Sequence, residues 1–186
     1  MKKATIILIA LSLTATISAQ SIFERFADSD DVSLVSISPK MFKMLGQLSI
    51  SSDDLEAKEY LDMVSSINNF KVLISGNDKV TAEMSKWVAK EVSTNDLEEL
   101  MTVKDTEADI AFYIKDGKSV DRVEKLLMYV NGNSYESLNS LEGRSVEAIL
   151  LLIEGDIDLN KISKLTDQMD LPGGKQLRKA KQKKIL

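Results

Sequence analysis

Val146-Glu147-Ala148-Ile149-Leu150-Leu151-Leu152-Ile153 is the most apolar run outside the N-terminal leader, and its reading decides the fold. Eight residues bounded by turn-forming Gly155 and Asp156 are too few for an independent buried helix, and a strand at the centre of a sheet is the natural assignment. Working outward, five further segments have strand character. Leu126 to Val130 ends at Asn131-Gly132-Asn133, a turn signal. Ala108, Ile110, Phe112 and Ile114 share one face of a run closed by Asp116-Gly117, and Leu97, Glu99, Met101 and Val103 alternate just before it. The short polar Lys104 to Glu107 between those two runs predicts a hairpin. Phe70, Val72 and Ile74 form one face of a strand over 70–75, and Val32 to Ile37, apolar on both faces, reads as a buried strand.

Helices fill the remaining intervals. Ser38-Pro39 is a start signal, a capping serine followed by a proline whose fixed φ suits the first helical position. Met41, Met44, Leu45 and Leu48 then form its expected inward stripe, with Phe42 flanking it. Ser51 to Asp54 opens a second helix with acid at its positive end, its stripe running through Ala57, Tyr60 or Leu61, Val64 and Ile67. Gly76-Asn77 caps a third through about Lys90, turning Val80, Met84, Trp87 and Val88 inward. Gly155 and Asp156 are expected to stop the central strand, and Asp158 to cap a last helix bearing Leu159, Ile162 and Leu165. The pattern predicts an α+β domain: a largely antiparallel sheet of about six strands with helices packed on one side. Leu73 to Asp78 and Leu152 to Ile157 read alike, an echo that strand-to-helix turns produce without duplication.

Lys2 and Lys3, an apolar run from Ala4 to Ala15 and small residues through Ser18-Ala19 have the layout of a secretory signal peptide, with cleavage after Ala19 leaving Gln20 first. Ile17 is larger than such a site prefers. The expected organisation is a signal peptide over 1–19, a single α+β domain over 20–174 and a basic tail over 175–186. The product is then periplasmic or otherwise exported, soluble, and without a transmembrane segment once the leader is gone.

Composition excludes more chemistry than any motif supports. The 186 residues contain no cysteine and no histidine, which removes thiol nucleophiles, thiolate metal sites, histidine-dependent serine hydrolysis and the commonest zinc and copper ligand. Without Lys2, Lys3 and the tail's six cations, 16 basic residues face 29 acidic ones, a net charge of −13. Such a body repels phosphate backbones, so no nucleic acid partner is expected. The tail, Lys175 to Leu186, reads as a solvated terminus suited at most to weak contact with anionic lipid or glycan.

Each compact motif has a structural reading that accounts for it with less, while the 29 acidic residues leave paired carboxylates for glycoside hydrolysis open. Asp28-Ser29-Asp30-Asp31 lacks the glycine and glutamate of a calcium loop and reads as an acidic turn. Gly155-Asp156-Ile157-Asp158 reads as a helix cap, and Gly173-Gly174-Lys175 lacks the spacing of a phosphate loop. Met41, Met44, Met63, Met84, Met101 and Met128 read as core filler. No catalytic, cofactor-binding or metal-ligating residue is therefore assigned, and no cofactor.

Val35-Ser36-Ile37-Ser38-Pro39-Lys40-Met41-Phe42, the stretch Glu154 to Leu165 and Leu171-Pro172-Gly173-Gly174 carry a likeness over nearly the whole mature chain. In these residues, and in a leader ending Ser18-Ala19-Gln20, the sequence resembles the domain-of-unknown-function family 4252, small exported proteins of Bacteroidetes-type bacteria. The resemblance implies a compartment and no active-site residues. Many such relatives are thought to be lipoproteins, and the lack of cysteine sets this chain apart. The expectation is a non-enzymatic binding or regulatory module of the cell envelope with an unknown envelope protein or ligand as partner. Its alternatives are a carboxylate-dependent hydrolase of envelope polymer and a lipid or apolar-ligand carrier.

Overall fold

A computed structural model describes residues 21–47, 55–104, 109–132 and 146–159. In chain order the elements are α1 (Ile22–Arg25), β1 (Val32–Ile37), α2 (Pro39–Gln47), α3 (Leu55–Ser65), β2 (Ile67–Ser75), α4 (Asp78–Thr94), β3 (Glu98–Lys104), β4 (Asp109–Asp116), β5 (Arg122–Asn131) and β6 (Ala148–Asp158). All six expected strands are present. They form one sheet in the order β1-β2-β6-β5-β4-β3 with every neighbouring pair antiparallel, so the architecture is α+β and the apolar run lies in the interior of the sheet.

The capping chemistry read from the sequence operates at two helix starts. The Met41 N–H donates to the Ser38 hydroxyl at 3.4 Å ahead of α2, and Asn77 Oδ1 accepts from the Lys79 and Val80 amides at 2.9 and 3.4 Å ahead of α4. At its other end α4 closes with Asp96 in the left-handed region (φ 51°), while Asn95 N–H donates to Glu91 O and Leu97 N–H to Val92 O. The Leu97 bond is the long 6→1 bond of a Schellman ending, and Leu97 packs in the same core cluster as Val92.

Helices lie on both faces of the sheet, which corrects the one-sided expectation. On one face Phe70, Val72, Leu126, Met128, Ile149, Leu151 and Ile153 pack with Phe42 of α2 and with Met63 and Val64 of α3. On the other, Leu73, Leu127, Tyr129, Leu150 and Leu152 pack with Ile22 and Phe23 of α1 and with Val80, Met84 and Val88 of α4. The reason is in β6 itself: successive side chains point to opposite faces, so an unbroken apolar run must be covered twice.

Several local expectations also change. In α2 the inward residues are Phe42 and half-buried Leu45, because Phe42 meets Phe70 edge-on with ring centroids 6.3 Å apart, and Met41 and Met44 are left exposed. Ile67, assigned to the second helix, opens β2 instead. β1 is an edge strand whose Ser33, Val35 and Ser36 are exposed, so it is not buried. Leu97 joins the α4 face while Met101 and Val103 join the other, since an irregularity between Glu99 and Met101 breaks the alternation. Gly155 and Asp156 do not end β6. Gly155 adopts φ +154°, where its missing Cβ lets the Ser66 carbonyl approach, and the Asp156 N–H donates to that oxygen at 3.2 Å. The Ser66 hydroxyl donates to Asp156 O at 2.8 Å, and pairing continues to Asp158. The last expected helix and the basic tail lie outside the described residues from 160 onward.

Two substitutions test this account. Leu150→Ala, at a fully buried position in an interior strand, should cost about 3 kcal/mol in urea denaturation. Gly155→Ala removes no contact, yet its Cβ collides with the Ser66 carbonyl at a φ that L-residues avoid. It should cost about 2 kcal/mol or more.

Candidate functional site

Toward the end of the sheet where β2 begins and β6 ends, the apolar rows on the α4 face give way to polar ones. Asn69 of β2 and Lys125 of β5 both stand opposite Glu154 of β6, so the strand register alone sets Asn69, Glu154 and Lys125 in a line across three strands. Glu91 reaches the same place from the last turns of α4. Lys125 Nζ donates to Glu91 Oε1 at 2.8 Å and lies 2.9 Å from Glu154 Oε1, and Asn69 Nδ2 donates to Glu154 Oε2 at 2.8 Å. Lys125 and Glu91 keep only 16% and 17% of their side-chain surface, Glu154 33%, so this is a largely desolvated cluster.

The protonation states follow from that geometry. Burial alone would push the Lys125 ammonium down, but hydrogen bonds to Glu91 and Glu154 outweigh it and hold it above its ordinary 10.5. Burial alone would push the Glu154 carboxyl up, but the bonds from Asn69 and Lys125, with the charge of Lys71, bring it below its ordinary 4.5. Both groups are charged throughout the neutral range.

This cluster floors a cleft of about 470 Å³ between α4 and strands β2, β6 and β5, also lined by Lys71, Trp87 and Lys90. Trp87 meets Phe23 of α1 in a T-shaped contact at 5.8 Å and 80°, and Lys71 Nζ sits 5.6 Å above the Phe23 ring. The short helix α1 thus fixes one wall. On the far flank of α4 a second cleft of about 350 Å³ is lined by Tyr113, Tyr129, Glu99, Thr102, Asp109 and Asn131. Burial raises both tyrosine hydroxyls above their ordinary 10.0, Tyr113 with help from the charge of Glu99. Tyr129 Oη donates to Thr81 O at 3.3 Å. At the start of α4, burial and a hydrogen bond with Asp78 raise the Glu147 carboxyl above its ordinary 4.5, and neither acid lines either cleft.

The constellations weighed in the sequence fall elsewhere. Asp31 N–H donates to the Ser29 hydroxyl at 3.2 Å in the acidic turn. Asp156, expected in a helix cap, pairs with Arg122 through Oδ1 and Nη1 at 3.1 Å along β6. Met63, Met84 and Met128 are core residues, whereas Met41 and Met44, half exposed, are not. Gly173-Gly174-Lys175 lies outside the described residues. Among the described residues no group of three metal-ligating side chains is present, and no helix is long and apolar enough to cross a membrane. Sequence reasoning missed Asn69, Glu91, Lys125 and Glu154. Their signal was parity: Asn69 and Lys71 share a face with Leu73, Lys125 with Leu127, and Glu154 with Leu152, polar residues on rows that are otherwise buried.

A family model described as Domain of unknown function (DUF4252) matches residues 24–165. No curated protein and no solved structure matches the chain.

Lys125→Met should leave two carboxylates facing each other without their cation, destabilising the fold by about 2–3 kcal/mol at about pH 7. The sign of the pH dependence is fixed by Glu154. Its folded pKa is lowered, so its contribution is full above 4.5 and is lost as pH falls through the folded value. The gap between wild type and variant in urea denaturation should therefore narrow at about pH 3.

Proposed function

The chain belongs to the DUF4252 family, a domain of unknown function, and we propose that it is a non-enzymatic binding module of the cell envelope, exported through removal of residues 1–19. One observation carries the binding reading: the cleft beside α4 is concave, polar and walled by an aromatic ring, but its acids are already committed to a cation. Ligand sites combine a shaped depression with a few convergent polar groups. Trp87 supplies a flat apolar surface, and Asn69, Lys71 and Lys90 supply hydrogen-bond donors around it.

The hydrolase alternative has a specific observation in its favour. Glu91 Oε1 and Glu154 Oε1 both lie against Lys125 Nζ, at 2.8 and 2.9 Å, so they are no more than about 5.7 Å apart. A retaining glycosidase uses carboxyls at roughly 5–5.5 Å, but one of the two must stay protonated to act as acid. Glu154 is driven the opposite way, and an ammonium occupies the space between the pair. The carrier alternative fares worse, because an apolar ligand in either cleft would strip water from charged groups without replacing it.

Trp87 is the sole tryptophan of the chain, so its fluorescence reports on the cleft alone. Soluble glycan fragments released from envelope polymer, used as the probe, should produce a saturable change in Trp87 emission. Lys71→Ala should weaken it by about tenfold, the loss of one charge-assisted hydrogen bond. Turnover of those fragments by the purified chain would replace the binding reading with the hydrolase. Intact-mass analysis of the native product should find Gln20 as its first residue, and retention of Met1 to Ala19 would refute export by leader removal.

A further inference from the structure

The two outer strands of the sheet are built differently. β3, at one end, carries Glu98, Glu99 and Lys104 and is irregular between Glu99 and Met101. Charges and bulges on an edge oppose pairing with a further strand. β1, at the other end, reads Val32-Ser33-Leu34-Val35-Ser36-Ile37, with no charge and no proline. It runs in unbroken register along β2, from Val32 opposite Ser75 to Ile37 opposite Phe70. Val35 is 47% exposed on it. Among the described residues nothing pairs with its outer side.

We propose that β1 pairs antiparallel with β1 of a second copy of this chain, on a two-fold axis through Val35. An axis perpendicular to the sheet keeps every residue on its own face, so only positions of equal parity can stand opposite each other. Centring on Val35 meets that condition: Val35 faces Val35, Ser33 faces Ile37 and Leu34 faces Ser36. The exposed valine is then covered by its own copy.

Charge selects the same arrangement. Exposed Asp28, Asp30 and Asp31 precede the strand, and exposed Lys40 and Lys43 follow it in α2. Antiparallel pairing therefore brings the acidic entry to β1 in one copy toward the basic exit in the other, twice by symmetry. Parallel pairing would set acid against acid and base against base. On a body with a net charge of −13, this edge is neutral along its length and oppositely charged near its two ends, so it is where a second copy meets less repulsion than at the acidic surface. The product is one continuous sheet of twice six strands, leaving the charged β3 strands as its outer edges.

Because the chain contains no cysteine, Val35→Cys introduces a unique thiol on the axis. Directly opposed residues of an antiparallel pair have Cα atoms about 4.5–5.5 Å apart, within disulfide reach. Mild oxidation of the full chain should give a disulfide-linked dimer with Val35→Cys and none with Val120→Cys, an exposed position between β4 and β5. Light scattering should report twice the monomer mass for the wild type. Val35→Lys, which opposes two ammonium groups, should raise the dimer dissociation constant at least tenfold with an unchanged circular dichroism spectrum. A wild type that stays monomeric at roughly 100 μM overturns the proposal, as does a Val35→Lys chain that dimerises as tightly as wild type. Amide-exchange protection of β1 without a change in mass would assign the edge to another segment of the same chain and overturn it too.

Discussion

Everything in this sheet depends on the double pairing of β6. On one side it is hydrogen-bonded to β2 and thereby to β1; on the other it is hydrogen-bonded to β5 and thereby to the β3-β4-β5 meander. Neither group of strands touches the other in the ladder except through it. From Ala148 to Ile153 a strand in that position has no solvent-facing side, which accounts for its composition there and for the helical layers on both faces. The glycine at 155 belongs to the same constraint. By letting the Ser66 carbonyl pass close to the backbone, it allows β6 to continue where the sequence signals a stop.

The cleft inherits its geometry from that seam. Glu154 is the central member of the polar row only because β6 lies between β2 and β5, and Glu91 completes it because α4 crosses the same face. Bringing these charges out of water opposes folding, and the ion pairs offset that cost only while all partners are present. The cluster therefore acts as a fastener of defined geometry: Lys125 ties helix to sheet through Glu91 and strand to strand through Glu154. Phe23 and Trp87 lock the adjoining wall by edge-to-face packing. A wall and floor held this way keep the cleft in one shape.

What could be read from the chain, and what could not, divides along a physical line. Strand positions were legible because period-two alternation is a local property, visible in Phe70-Val72-Ile74 and Ile110-Phe112-Ile114 without knowledge of their neighbours. The caps at Ser38 and Asn77 were legible for the same reason. Which face of α2 turns inward was not, because Met41, Phe42, Met44 and Leu45 are all apolar and only the position of Phe70 chooses among them. The end of β6 is not legible, because a glycine that permits close approach looks the same in sequence as one that makes a turn. The polar cluster was the least accessible: Asn69 and Glu154 are 85 positions apart and Lys125 and Glu91 34, so their meeting is a product of strand order.

The order in which strands appear has a consequence for biogenesis. β6, Ala148–Asp158, follows the other five described strands in the chain, so the strand that joins the two halves is the last of the six to be made. Until then the nascent chain has a β1-β2 pair and a three-stranded meander with no ladder between them, and long-range pairing of this kind is slow to form. The two halves become one sheet only once residues 148–158 have been made.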